Sequence, residues 1–293
     1  MNEISFLGFM LVGTFFLGYN DIQYKRSLEK GMDERLLVGL PFLVAGLILI
    51  VLMGLIGVPH VGAPFWKAYT ATVLLNVVSQ AVFMRAFKLA DASIVAPLRL
   101  IIPIFVIATG YVFLAERPPL TGMLGIFITM FGVWLLLFSE NAGSWKNYFS
   151  SENGKGVLLG LFGSLLFSIS FPFDKITVVS SSALFASGLV SISIGALTIL
   201  VHLYSPSFRG TLRLSLKNWR PLLNISLFRA AGTVLTNQAL VYTFAAYASS
   251  LKRLQAVWTV VLSGTFLNEK HIGKKILATA IMFGGLLFSV IGR

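Results

Sequence analysis

The sequence predicts an all-α integral membrane protein of ten transmembrane helices, arranged as two inverted five-helix repeats. Three observations carry that prediction: composition, the spacing of apolar runs, and a repeat with a fixed offset. Hydrophobic residues make up 56% of the 293 and charged residues only 12%, with a mean hydropathy of +0.85. A soluble domain carries roughly 25% charged residues, so the solvent for most of this chain is lipid. An apolar run of about 20 residues crosses the hydrocarbon core as a helix, and such runs fall near 4–25, 36–57, 66–87, 93–114, 119–138, 155–175, 182–204, 219–243, 246–267 and 272–292.

Taken in order, the first span lacks a basic leader and runs into the polar "YNDIQYKR", so it is expected to remain as a helix rather than act as a cleaved signal. It carries Tyr19, Asn20, Asp21 and Tyr24 near its end. The polar break "KRSLEKGMDER" precedes the second span. In the third, Thr72, Asn76 and Gln80 recur at i, i+4, i+8, one side of a helix. The fourth holds Arg99 between Pro97 and Pro103, prolines that free backbone carbonyls and bend a helix. Small residues of the fifth and tenth spans, among them Gly122, Gly125, Gly132, Gly284 and Gly285, predict close helix contacts. "SENAGSWKNYFSSENGK" lies near the midpoint and reads as a hinge. The sixth span carries Ser168, Pro172 and Asp174, and "SPSFRGTLRLSLKNWR" reads as a polar connection after the seventh. The eighth span answers the third with Arg229, Thr233 and Asn237 at the same spacing. Trp66, Trp145 and Trp219 stand where an interfacial aromatic belt is expected.

The repeat reorganises these elements. Residues 86–119 align with 239–272 without a gap, each pair 153 positions apart, as Glu116 to Glu269 shows. Leu98 then matches Leu251, Arg99 matches Lys252, Gly132 matches Gly285 and Asp21 matches Asp174. Residues 1–140 are read as the first repeat, 141–154 as the connection and 155–293 as the second repeat. Five helices per half force the second half to enter the membrane upside down. Loop charges agree: the first connection holds Lys25, Arg26, Lys30 and Arg35 while its mate has Lys175, and the second has Lys67 while its mate holds Arg209, Arg213, Lys217 and Arg220. Fourteen Lys or Arg fall in odd-numbered connections, including Lys88, Lys146, Lys155, Lys270, Lys274 and Lys275. Only Lys67, Arg117, Lys175 and Arg293 fall on the other face, which predicts both termini outside the cytoplasm.

Several function classes are excluded. There is no cysteine, so no disulfide or thiolate chemistry exists. His60, His202 and His271 fall at helix ends or loops, so no metal cluster or other cofactor is expected. No Ser-His-Asp arrangement and no phosphate-binding glycine loop followed by Lys points to an enzyme or an ATP-driven pump. The net charge of +12 is explained by a positive cytoplasmic face rather than by nucleic acid. The expected partners are the bilayer and a small solute, with the chain a monomer or homodimer in a cell membrane, the inner or plasma membrane in a prokaryote.

Within the apolar spans the cations stand out. Arg99, Lys252 and Arg253 would together cost on the order of 8–10 kcal/mol facing lipid at a membrane centre, so they must face protein or water. Lys252, Gln255, Ala256, Thr259 and Ser263 recur along one helix side, and Arg253 lies about 100° round from Lys252. Two readings follow: the cations bind an anionic solute, or they snorkel to the interface and pair with Asp21, Asp174 or Asp91. Asp21 and Asp174 could instead carry protons, with Tyr24 at a cavity end. Arg229, Asn76, Gln80, Thr233, Asn237 and Gln255 are candidate cavity walls, against interhelical hydrogen bonding as the alternative. Glu116 and Glu269 are expected to cap turns rather than touch solute.

"ADASIVAPLRLIIPIFVIATGYVFLAERPPLTGMLGIFITMFGVWLLL" (90–137) and "AAYASSLKRLQAVWTVVLSGTFLNEKHIGKKILATAIMFGGLLFSVIG" (245–292) follow a pattern of a small-residue helix, a Leu-x-Glu-[Arg/Lys] turn and a Gly-rich closing helix. This resembles the drug/metabolite transporter superfamily, and within it the ten-helix EamA-type carriers. The resemblance implies a secondary carrier working by alternating access, and it favours both termini inside, opposite to the loop charges. The positions of Arg99 and the Lys252–Arg253 pair resemble the triose-phosphate translocator branch, which implies a phosphorylated or other anionic metabolite moved by exchange or ion coupling. Export of amino acids, drugs or other neutral or zwitterionic solutes, and flipping of a lipid phosphate, stay open as alternatives.

Overall fold

The computed structural model describes residues 3–102, 151–204, 208–217, 219–241, 252–267 and 272–291, with 105, 106, 124, 125, 127, 128, 131, 132 and 135. The described residues form helices joined by short turns, with α1 Glu3–Glu29, α2 Glu34–Ile56, α3 Phe65–Leu89 and α4 Ala92–Val95, the last continued by a 3-10 turn at Pro97–Ile101. After the first repeat come α5 Glu152–Val179, α6 Ala183–His202, α7 Phe208–Lys217, α8 Trp219–Val241, α9 Leu254–Phe266 and α10 Ile272–Ile291. The readings of Pro103, Glu116, Arg117, Gly122, Trp145, Lys146, Glu269, Lys270, His271 and Arg293 lie outside the described residues.

Local chemistry sets the helix ends. Asp33 caps α2 by accepting from the amides of Arg35 (2.9 Å) and Leu36 (3.3 Å), satisfying donors that a helix start leaves orphaned. Ser151 and Ser182 do the same for α5 and α6. Gly57, at φ +111°, closes α2 in a conformation other residues avoid. α2, α3, α5 and α6 are each long and apolar enough to cross a membrane. α1 and α8 are of spanning length too, but their polar residues dilute the apolar run because those residues turn inward.

The two repeats run in opposite directions, and the helices show it where they touch. α2 and α6, the second helix of each repeat, cross antiparallel: Gly39 lies against Ile199, Gly46 against Ile192 and Gly195 against Leu43. Glycine is needed at this seam, since a Cβ on Gly195 would stand 2.5 Å from the Leu43 amide nitrogen and one on Gly46 2.6 Å from that of Ile192. α1 packs antiparallel on α8 with Gly13 against Thr236, and α3 on α5 with Gly156 against Ala90 and Gly163 against Phe83. Under the repeat these last two are the same contact, the first helix of one half against the third of the other. Gly132 packs on Met282 as the small-residue pattern predicts, whereas Gly284 faces open space. Trp66 and Trp219 are more than half exposed on the outer surface.

Three expectations need correction. The fourth span is not one helix: Pro97 lacks an N–H and fixes φ, and the chain passes there from α4 into a 3-10 turn. The segment 205–220, expected as a polar connection, contains the amphipathic α7, whose Ser215 is buried while Arg213 and Lys217 are exposed. Lys25 and Lys275, counted as loop charges, are buried at helix ends: Lys25 Nζ donates to the Phe87 and Ala90 carbonyls (3.0 and 2.9 Å), and Lys275 pairs with Asp91 (3.1 Å). Carbonyls at a helix C-terminus carry negative partial charge, which gives Lys25 its partner. With Arg26 donating to the Phe266 carbonyl (3.0 Å) and Arg35 bonded to His202 (3.0 Å), the two repeats are stitched together at this basic end.

Candidate functional site

A cavity of about 150 Å³ lies between the repeats, and α1, α3, α5, α6 and α8 wall it, with the 3-10 turn after Pro97 and the start of α9 closing it. Glycines bring the backbones together around it. Gly18 lets α1 approach the Gln255 carbonyl and Trp258 of α9, which sets Asp21, one turn on, against that helix. Gly160 makes room for Leu98, and Ser164 Oγ donates to the Leu98 carbonyl at 3.0 Å, fixing the turn that presents Arg99.

Every solute-site candidate from the sequence lines this cavity: Arg99, Lys252, Arg253, Arg229, Asn76, Gln80, Thr233, Gln255 and Asn237, together with Asp21, Asp174 and Tyr24. The stripes on α3 and α8 therefore do lie on walls of one space. Tyr19 does not line it, because its ring packs on Phe228 and Phe266. Ser168 also turns away, its hydroxyl bonded to the Leu165 carbonyl.

The charged groups differ in how they are held. Asp21 Oδ2 accepts from Arg99 Nη1 (2.6 Å), Thr259 Oγ1 (2.9 Å) and Gln255 Nε2 (3.0 Å), while the Arg99 guanidinium also lies over the rings of Phe83 and Phe87. This is a compact, buried ion pair, with two neutral donors sharing the same carboxylate oxygen. Asp174 Oδ1 accepts from Ser170 Oγ (2.9 Å) and Asn76 Nδ2 (3.2 Å), both neutral. Among the described residues Lys252 Nζ donates to Asn237 Oδ1, at 3.4 Å, and Asn237 in turn donates to Ser187 (2.8 Å). The Arg229 guanidinium sits 3.2 Å above the centre of the Phe42 ring, a cation–π contact. Among the described residues neither Lys252 nor Arg229 has a carboxylate within ion-pair distance.

Lys252 is helical and Arg253, at a break in the helix, is the N-cap of α9; residues 242–251, and with them the expected six-residue depth of the pair, lie outside the described ones. The positive end of the α9 dipole therefore points toward the same cavity end as two cations. Asn20 and Thr72 also line the cavity. Both are polar side chains within apolar spans, which is the signal that marks them in the sequence.

No functionally curated protein shows significant similarity to this chain. A solved crystal structure of a protein of unstated function matches it with a TM-score of 0.67 at 15% identity, covering 97% of this chain and 96% of its own, which shows a common fold. The model of the EamA-like transporter family matches residues 5–138 and again 154–291. Two copies of that unit span nearly the whole chain, so this is a membrane transporter belonging to the EamA-like transporter family.

Proposed function

We propose that the transporter carries a small organic anion, phosphorylated in the favoured reading, bound in the central cavity and released by alternating access of the two repeats. One observation carries this: four cations, Arg99, Arg229, Lys252 and Arg253, line the cavity against two carboxylates, Asp21 and Asp174. A formal excess of positive charge in a space walled by apolar side chains favours an incoming anion, because the low dielectric strengthens each attraction. The start of α9 adds backbone N–H groups and dipole at the Lys252–Arg253 end, as discontinuous helices do at anion sites of inverted-repeat carriers. Guanidinium forks suit phosphate oxygens, and Lys supplies a point charge beside them.

The test is solute exchange in proteoliposomes, with phosphorylated, carboxylated and neutral metabolites compared. Only anions should exchange. Lys252→Gln and Arg253→Gln should each weaken solute binding by roughly 1.5–3 kcal/mol per charged hydrogen bond, about ten- to a hundredfold, without loss of folded protein. Undiminished exchange by both folded variants, or exchange of neutral solutes alone, overturns the proposal. The basic end of the molecule is proposed to face the cytoplasm, with both termini on the other side. A C-terminal reporter active only in the cytoplasm should then stay silent, and a signal reverses the assignment.

A further inference from the structure

Beside the cations, the cavity holds buried polar atoms that make no well-formed hydrogen bond among the described residues. Asn20 and Tyr24, only 1% and 3% exposed, project from α1 one turn apart; among the described residues the Asn20 amide has no hydrogen-bond partner, and the Tyr24 hydroxyl lies against the Arg229 guanidinium without a well-formed bond to it. Arg229 Nε, also buried, is likewise unsatisfied, and the three residues line the same cavity. Buried polar groups without partners are rare in folded proteins and costly to keep, so a cluster of three in one corner marks a place where something polar is bound. Their chemistry narrows what that is. Tyr24 offers an O–H, Arg229 an N–H and Asn20 an NH2, three donors converging beside a guanidinium that has no carboxylate of its own among the described residues.

This corner is separate from the Lys252–Arg253 end. Lys252 meets α8 at Asn237, eight residues from Arg229, which is about 12 Å along a helix. Long basic side chains shorten that gap, so a solute of a few carbons can reach from one to the other. We infer that the Asn20–Tyr24–Arg229 corner is a second recognition point that takes a carboxylate, so that the transported solute carries a phosphate-like group at one end and a carboxylate at the other. The inference rests on the anion-carrier reading above and deepens it: one end supplies charge attraction, the other selects among anions by an acceptor that fits three donors.

Two probes of equal length separate the ends: 3-phosphonopropionate, with both groups, and propylphosphonate, in which a methyl replaces the carboxylate. Binding to the full-length protein in detergent is measured by titration calorimetry. The wild type should bind 3-phosphonopropionate at least tenfold more tightly. Tyr24→Phe should erase most of that advantage while leaving propylphosphonate affinity and the melting temperature of the unliganded protein nearly unchanged, because the hydroxyl it removes makes no well-formed hydrogen bond among the described residues of the free protein. Asn20→Ala, which keeps the helix, should act in the same direction. If the two probes bind equally, or Tyr24→Phe weakens both alike, the corner is not a carboxylate site, although the anion-carrier reading stands as long as Lys252→Gln weakens both. Should neither phosphonate bind, both readings fall.

Discussion

Asp21 and Asp174 occupy equivalent places in the two repeats, yet the structure treats them differently. Asp21 is locked to Arg99 at 2.6 Å and holds two further donors on the same oxygen. Asp174, whose repeat-related cation is Lys252, accepts from neutral Ser170 and Asn76 and, among the described residues, from no cation within ion-pair distance. The same local sequence logic has produced a closed ion pair in one half and an open one in the other. An inverted repeat can be symmetric in topology while its charges are not, because each carboxylate meets the neighbours its own end of the cavity supplies.

That contrast can be broken most forcefully at Asp21. Asp21→Asn strands the Arg99 guanidinium in a buried setting and should cost about 3–5 kcal/mol of stability, whereas Asp174→Asn should cost about 1 kcal/mol or less. Thermal unfolding of the two purified variants measures the difference, and equal losses would mean that the asymmetry has no energetic content. The comparison is sharpened by the double variant Asp21→Asn/Arg99→Leu, which removes both charges and should recover most of the loss.

A smaller effect tests the place where the repeats are alike. Gly46→Ala and Gly195→Ala each drive a methyl into opposing backbone and should cost about 1–3 kcal/mol, with similar values for the two. Gly284→Ala, with open space around it, should be neutral or stabilising by roughly 0.5–1 kcal/mol. Unequal losses at Gly46 and Gly195 would show that asymmetry reaches the packing seam as well as the charges.

The sequence by itself determined the spans, the two repeats and the polar stripes. Each depends on helical periodicity or on a constant offset, which are properties of neighbouring residues. Thr72, Asn76 and Gln80 had to share a side, as did Arg229, Thr233 and Asn237, wherever their helices came to rest. Only the tertiary structure decided which carboxylate Arg99 would hold, since Asp21 lies 78 positions away and Asp174 and Asp91 were equally available in the sequence. It also withdrew Lys25 and Lys275 from the loops and gave each a buried partner. The physical reason is common to both: an ionisable group in an apolar surround takes whichever partner the interlocking halves bring within a few ångströms, and that distance is set by glycine seams between helices far apart in the chain.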